Sequence, residues 1–177
     1  MESVGYDMYC KLLDEAVRQI KGEDVSLDFE TTIDINVNAF IPSYYIKNEE
    51  QKLEVYKKIS LVTGIEDYYD VQDEIEDRFG TIPKSVQALL DIVLVKAEAH
   101  SIGVLSIMQK NKNLVITFKA DAQINPVAIT SLVTNNKNKV MFTSAKEPYI
   151  TVKLSEVDCK DLLGFVKNVI KDLKEHE

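Results

Sequence analysis

The hydrophobic period of this chain changes at Gly103, and that change limits what the chain can fold into. Upstream, apolar residues recur at three- and four-residue intervals: Leu53, Tyr56, Ile59 and Leu61, then Ile75 and Phe79, then Val86, Leu89, Leu90, Val93 and Ala97. Such spacing belongs to helices that bury one stripe. Downstream, residues 104–109 and 114–120 alternate apolar and polar side chains around Lys110-Asn111-Lys112-Asn113, which is hairpin chemistry. Asn125-Pro126 caps a short helix, residues 139–143 and 149–154 form a second strand pair, and Ser155 with Asp158 opens a last helix through Leu163, Val166, Ile170 and Leu173. Consecutive hairpins favour antiparallel pairing. The pattern predicts an α+β fold, an antiparallel sheet of short strands with helices packed on one face.

Ahead of the three long helical segments, residues 4–21 carry a broad apolar face at helical spacing, and a polar connector follows. Residues 31–41 alternate Ile33, Ile35, Val37, Ala39 and Ile41 with polar neighbours, a half-buried strand that Pro42 ends because it lacks an amide donor. Asn48 with Gln51 three residues on starts a helix over 49–62, and a second helix over 65–79 stops at Gly80-Thr81-Ile82-Pro83. The expected organisation is a linker helix and connector over 1–30, followed by one α+β domain over 31–177.

Charge narrows the partners. A formal charge of -8 and a pI near 4.9 repel phosphate backbones. Lys137, Lys139 and Lys146 are the local basic exception, and no aromatic residues interleave them as a stacking platform requires, so no direct nucleic-acid binding is expected. Cys10 and Cys159 lie far apart in helix-like patterns, and nothing reads as a secretory signal or as an apolar run able to cross a bilayer. Free thiols in a reduced cytoplasmic protein with no membrane contact are the expectation.

Catalytic signatures are absent. Two histidines, His100 near a helix end and His176 in the C-terminal tail, have no nucleophile pattern beside them, and the six glycines form no phosphate-binding loop. Glu66, Asp67, Asp70, Asp73, Glu74, Glu76 and Asp77 crowd one helix without the glycine and alternating ligands of a calcium loop, so they read as a solvated acidic face. No catalytic, cofactor or metal site is expected. Tyr44-Tyr45 and Tyr68-Tyr69 suit either an interface or the edge of the core. The candidate site that remains is the last helical turn before Gly80. Glu74, Asp77 and Arg78 fall side by side there, next to an apolar stripe of Ile75 and Phe79. Two carboxylates and a guanidinium in this arrangement fit a docking edge with directional charged contacts, or a solvated face with an internal Glu74 to Arg78 pair.

The wording of several segments is specific. Val4-Gly5-Tyr6-Asp7-Met8-Tyr9, Leu12-Leu13-Asp14-Glu15-Ala16-Val17, Phe40-Ile41-Pro42, Tyr45-Ile46, Gln51-Lys52-Leu53, Tyr56-Lys57-Lys58-Ile59, residues 74–80 and Leu89-Leu90-Asp91 occur here in an order that resembles the C-terminal domain of the bacterial transcription-repair coupling factor family. The resemblance covers residues 4–103 closely, and 104–177 in length and general pattern. It implies that the chain is the tail of a longer ATP-dependent DNA translocase that displaces stalled RNA polymerase and recruits the excinuclease A component. It implies further that this domain folds back on the N-terminal module of the same polypeptide, masks the excinuclease-binding surface and represses the motor, with Glu74, Asp77 and Arg78 as the docking edge. Glu76 makes that motif more acidic than the family's usual form. The alternative expectation is a small-ligand-binding α+β regulatory domain.

Overall fold

A computed structural model describes residues 29–122, 124–136, 139–154 and 161–174. The expected helix over 4–21, Cys10, Lys137, the Ser155 and Asp158 start of the last helix, Cys159 and His176 all lie outside the described residues. The described chain runs β1 (Thr32–Asp34), α1 (Glu49–Ser60), α2 (Ile65–Phe79), α3 (Lys84–Ser101), β2 (Val104–Lys110), β3 (Asn113–Phe118), α4 (Pro126–Asn135), β4 (Val140–Thr143), β5 (Tyr149–Lys153) and α5 (Leu162–Lys174). It divides into two compact units whose boundary falls inside α3, after Leu94.

The first unit takes in the described residues 37–94. Asn48 caps α1, its Oδ1 accepting the Gln51 amide at 3.0 Å. At the start of α2 the Thr63 amide and hydroxyl both donate to Asp67 Oδ2, at 2.9 and 2.6 Å, so one member of the acidic run serves as a helix-start acceptor. Those two bonds hold the Asp67 carboxyl below its ordinary range. The core of this unit joins Val55, Tyr56 and Ile59 of α1, Tyr68 and Ile75 of α2, and Val86, Leu89 and Leu90 of α3. Leu61, expected to face inward, is instead the C-terminal cap of α1 and is 48% exposed, because the helix ends before its side chain reaches the apolar stripe.

Residues 37–41 belong to this unit and carry no strand ladder, although their burial alternates as expected up to Pro42. Their backbone polar groups find other partners. The Phe40 amide donates to Ser85 O at 3.2 Å, and the buried Ile41 amide donates to Tyr56 Oη at 2.9 Å. A period of two reports an extended chain with one covered side, and here only Thr32–Asp34 also pairs with a neighbouring strand.

The second unit, described over residues 29–36 and from 95 onward, is built on a five-stranded sheet in the order β1-β2-β3-β5-β4. The sheet is mixed, which corrects the expectation of a wholly antiparallel one. β2 with β3, β3 with β5 and β4 with β5 are antiparallel, whereas β1 lies parallel to β2. Three helices separate those two strands in the chain, and a connection of that length permits the crossover a parallel pair requires. Asn111, with φ of 56°, turns the β2–β3 hairpin, a left-handed conformation that asparagine tolerates.

Register explains the core of this unit. Ile33, Ile107, Ile116, Ile150 and Phe142 stand in one row across all five strands, and the three central isoleucines are fully buried. Leu114, Val152 and Val140 form the adjacent row. α5 adds Leu163, Val166, Val169, Ile170 and Leu173 to the buried set, and α4 packs on both α5 and β4. The fold class is therefore α+β, with five described helices and one sheet.

Candidate functional site

The sequence singled out the last turn of α2, and the structure places that turn against α1. Arg78 is the hub. Its Nη1 lies 3.0 Å from Glu74 Oε1 one turn back and 3.0 Å from Glu54 Oε1 on α1, and its Nη2 reaches Glu54 Oε2 at 3.3 Å. Lys58 of α1 completes the ring, contacting Glu74 closely and Glu54 at 3.4 Å. Two cations and two carboxylates thus alternate across the α1–α2 contact, with the bidentate geometry that a guanidinium favours.

Each charge in this ring steadies its opposite. The Lys58 hydrogen bond, and then that of Arg78, hold the Glu74 carboxyl below the usual glutamate range. Arg78 does the same for Glu54, and Glu74 raises the Lys58 ammonium. The groups stay solvated nonetheless: the Arg78 side chain is 33% exposed and Glu74 is 39% exposed. Exposed ion pairs of this kind add little to folding stability. Their stronger consequence is orientation, since four side chains that hold one another have fewer conformations to lose when a partner arrives.

Asp77 stands apart. It is exposed and makes no side-chain hydrogen bond or ion pair with another described residue. Of the three singled-out residues, Glu74 and Arg78 are joined as the i, i+4 spacing implied, and Asp77 flanks them. Glu54 and Lys58 are the members that sequence reasoning missed. Their signal was the Glu-x-x-x-Lys spacing within α1, which marks a local pair and says nothing about a second helix.

Below the ring, the chain leaves α2 through Gly80, whose φ of 81° and ψ of -166° are accessible essentially to glycine alone. Its amide donates to Glu76 O at 2.8 Å, and its carbonyl accepts the Tyr45 hydroxyl at 2.7 Å. The Tyr45 ring tilts against Phe79 at 6.1 Å, and the Arg78 guanidinium lies 5.0 Å from the Phe79 ring centre. A Cβ added at Gly80 would meet nothing within 4 Å, so Gly80→Ala tests backbone strain alone. The expected loss is about 1 to 3 kcal/mol in a urea titration, and a loss below about 0.5 would show that the turn relaxes freely.

The other candidates resolve differently. Tyr68 is buried, its hydroxyl donating to Asp91 Oδ1 at 2.8 Å and accepting from Gln87 Nε2 at 2.5 Å, whereas Tyr44 and Tyr69 are exposed. His100 sits in the last turn of α3, stacked on Phe29 with ring centres 4.4 Å apart, and its Nδ1 lies 3.4 Å from the Thr31 hydroxyl. That hydroxyl donates to Val104 O at 2.7 Å. These contacts tie β1 to α3 within the second unit. Among the described residues, no helix is long and apolar enough to cross a membrane.

The fold of this chain is similar to that in the crystal structure of a C-terminal domain of a transcription-repair coupling factor. The TM-score is 0.73 at 23% identity, covering 83% of this chain and 93% of that one. The TRCF domain family matches residues 35–129, more than half of the chain, and the chain belongs to that family. The transcription-repair-coupling factor of Bacillus subtilis (strain 168) is 31% identical over 179 residues, 99% of this chain and 15% of that protein. That of Staphylococcus haemolyticus (strain JCSC1435) is 37% identical over 129 residues, 71% of this chain and 11% of that protein. The chain thus spans about one seventh or less of the curated relatives it matches. The Bacillus match runs past Gly103, further than the closely worded resemblance over residues 4–103.

Proposed function

We propose that this domain is the regulatory clamp of a transcription-repair coupling factor. In the proposed mechanism it docks on the N-terminal module of the same polypeptide through Glu74, Asp77 and Arg78, covers the surface that receives the excinuclease A component, and holds an ATP-dependent DNA translocase in a repressed state. Residues 1–30 serve as the connector from the preceding motor region. RNA polymerase and duplex DNA are then partners of the whole factor, and this domain reaches them through the rest of the chain.

The observation that carries this reading is the last turn of α2, where exposed Asp77 flanks a Glu74–Arg78 pair already oriented by Glu54 and Lys58. A clamp of this kind needs no large interface. Moving a closed state from 1:99 to 99:1 takes a preference of about 5.5 kcal/mol. Covalent connection keeps the partner module at high effective concentration, so even a modest charged contact suffices.

In a full-length factor carrying this domain, replacing Glu74, Asp77 and Arg78 together by alanine is expected to raise basal ATP hydrolysis and binding of the excinuclease A component while the domain keeps its thermal stability. Added salt should reproduce part of the effect by screening the contact. Basal activity and binding equal to those of the unaltered factor would sink the proposal.

A further inference from the structure

The two faces of the five-stranded sheet differ, and the clamp leaves the second face without a role. One face carries the buried isoleucine row. On the other, Met108, Val115, Thr151 and Met141 stand in a row across β2, β3, β5 and β4, and the exposed Asp34 of β1 pairs beside Met108 at the far end from Met141. None of the four is fully buried, and Met141 is 52% exposed. The next row toward the hairpin is cationic. Lys110 lies opposite Asn113, Asn113 opposite Lys153, and the Lys153 amide donates to Lys139 O at 2.8 Å, which continues the row onto the start of β4. Lys112, in the hairpin turn, lies at the same end of the sheet, where its carbonyl accepts the Leu154 amide at 2.8 Å. Strand spacing makes this line about 14 Å long.

The surrounding charge sharpens the contrast. Over the full sequence, residues 1–27 and 37–94 hold nine Lys or Arg against seventeen Asp or Glu, whereas residues 28–36 and 95–177 hold twelve of each. Within a chain of net charge -8, the register of Lys110, Lys153 and Lys139 alone places positive charge along one border of a partly apolar sheet face. Lys110, Lys112 and Lys139 form no ion pair with another described residue.

We infer that this face docks an acidic, partly apolar polypeptide segment. Its apolar side chains would lie over Met108, Val115 and Met141, and its carboxylates would meet the lysine row. Charge complementarity selects an acidic occupant. The face itself selects polypeptide over nucleic acid, because among the described residues it supplies a single aromatic side chain, Tyr149, and one cationic row, where a single strand of nucleic acid needs several stacking platforms and a groove that follows its backbone.

Amide shift mapping on the 177-residue chain tests this, with a soluble peptide of about fifteen residues that mixes Asp and Glu with Leu and Phe, and a partner peptide carrying Asn and Gln in place of the acids. The acidic peptide is expected to perturb Met108, Val115, Thr151 and Met141, and the neutral one to leave them unmoved. Joint Lys110→Glu, Lys112→Glu and Lys139→Glu substitution should weaken binding at least about tenfold with the melting temperature preserved. Met141→Ser alone should weaken it by a smaller factor. Alanine at Glu74, Asp77 and Arg78 should leave peptide binding intact, which separates this surface from the clamp. The inference is overturned by perturbation centred on α2, by equal binding to the lysine-reversed variant, or by no binding up to about 1 mM peptide. Equal occupancy of the face by a thymidine oligonucleotide, or by a second copy of the chain, would overturn it as well.

Discussion

Replacing Ile116 by alanine is expected to lower the unfolding free energy by about 2 to 5 kcal/mol, toward the upper end of that range. Ile116 sits on β3 at the centre of the five-strand row, between Ile107 and Ile150, and all three are fully buried. Removing its outer carbons takes away buried apolar surface and also leaves a cavity. Strand neighbours on both sides are fixed by ladder hydrogen bonds, so the cavity collapses poorly. A loss of this size is a large part of the roughly 5 to 15 kcal/mol that holds a typical domain together. Urea unfolding read by far-UV circular dichroism measures it, with the slope of the transition unchanged. Ile33→Ala, at the border of the row and 7% exposed, should cost less, because the edge strand can settle inward. Equal costs at the two positions would refute the picture of a row that tightens toward its centre.

Tyr68→Phe is the second large effect, and its signature lies in the alkaline range. The substitution keeps the ring but removes a hydroxyl that gives one hydrogen bond to Asp91 and takes one from Gln87. The expected loss at neutral pH is about 1 to 3 kcal/mol, because the carboxylate loses a donor at a part-buried position. Burial, and then the bond to Asp91, push the Tyr68 hydroxyl well above its ordinary value of 10.0. The unfolded chain therefore releases this proton near pH 10 while the folded chain retains it. Stability from this group is complete below pH 10 and declines as pH rises beyond it, by about 1.4 kcal/mol per pH unit until the folded hydroxyl also ionises. Tyr56, also raised by burial, adds its own decline in both proteins. The difference between wild type and Tyr68→Phe should accordingly shrink between pH 10 and pH 11. A constant difference across that interval would contradict the placement of Tyr68.

Most element positions were legible because their causes are local. Asn48 before Gln51 and Asn125 before Pro126 carry their own cap acceptors, and both helices start where those residues stand. Gly80, with a φ that other residues avoid, ends α2 at the expected position. Residues 37–41 show the limit of such reading. Their alternation correctly reported one covered side, but whether an extended chain joins a ladder depends on what lies beside it, and here Tyr56 and Ser85 take the backbone donors. The candidate site divides in the same way. Glu74 and Arg78 pair at helical spacing, which one helix defines, whereas Glu54 and Lys58 enter through the approach of a second helix.

What this sequence determined by itself was the set of elements and the chemistry at their ends, since periodicity, caps and turn residues act over a few positions. The approach of α1 to α2, the parallel placement of β1 and the gathering of Lys110, Lys139 and Lys153 in one row were decided by the tertiary structure alone. Each joins residues far apart in the chain, and the free energy that brings them together comes from apolar burial over the whole of a compact unit, which no local pattern encodes.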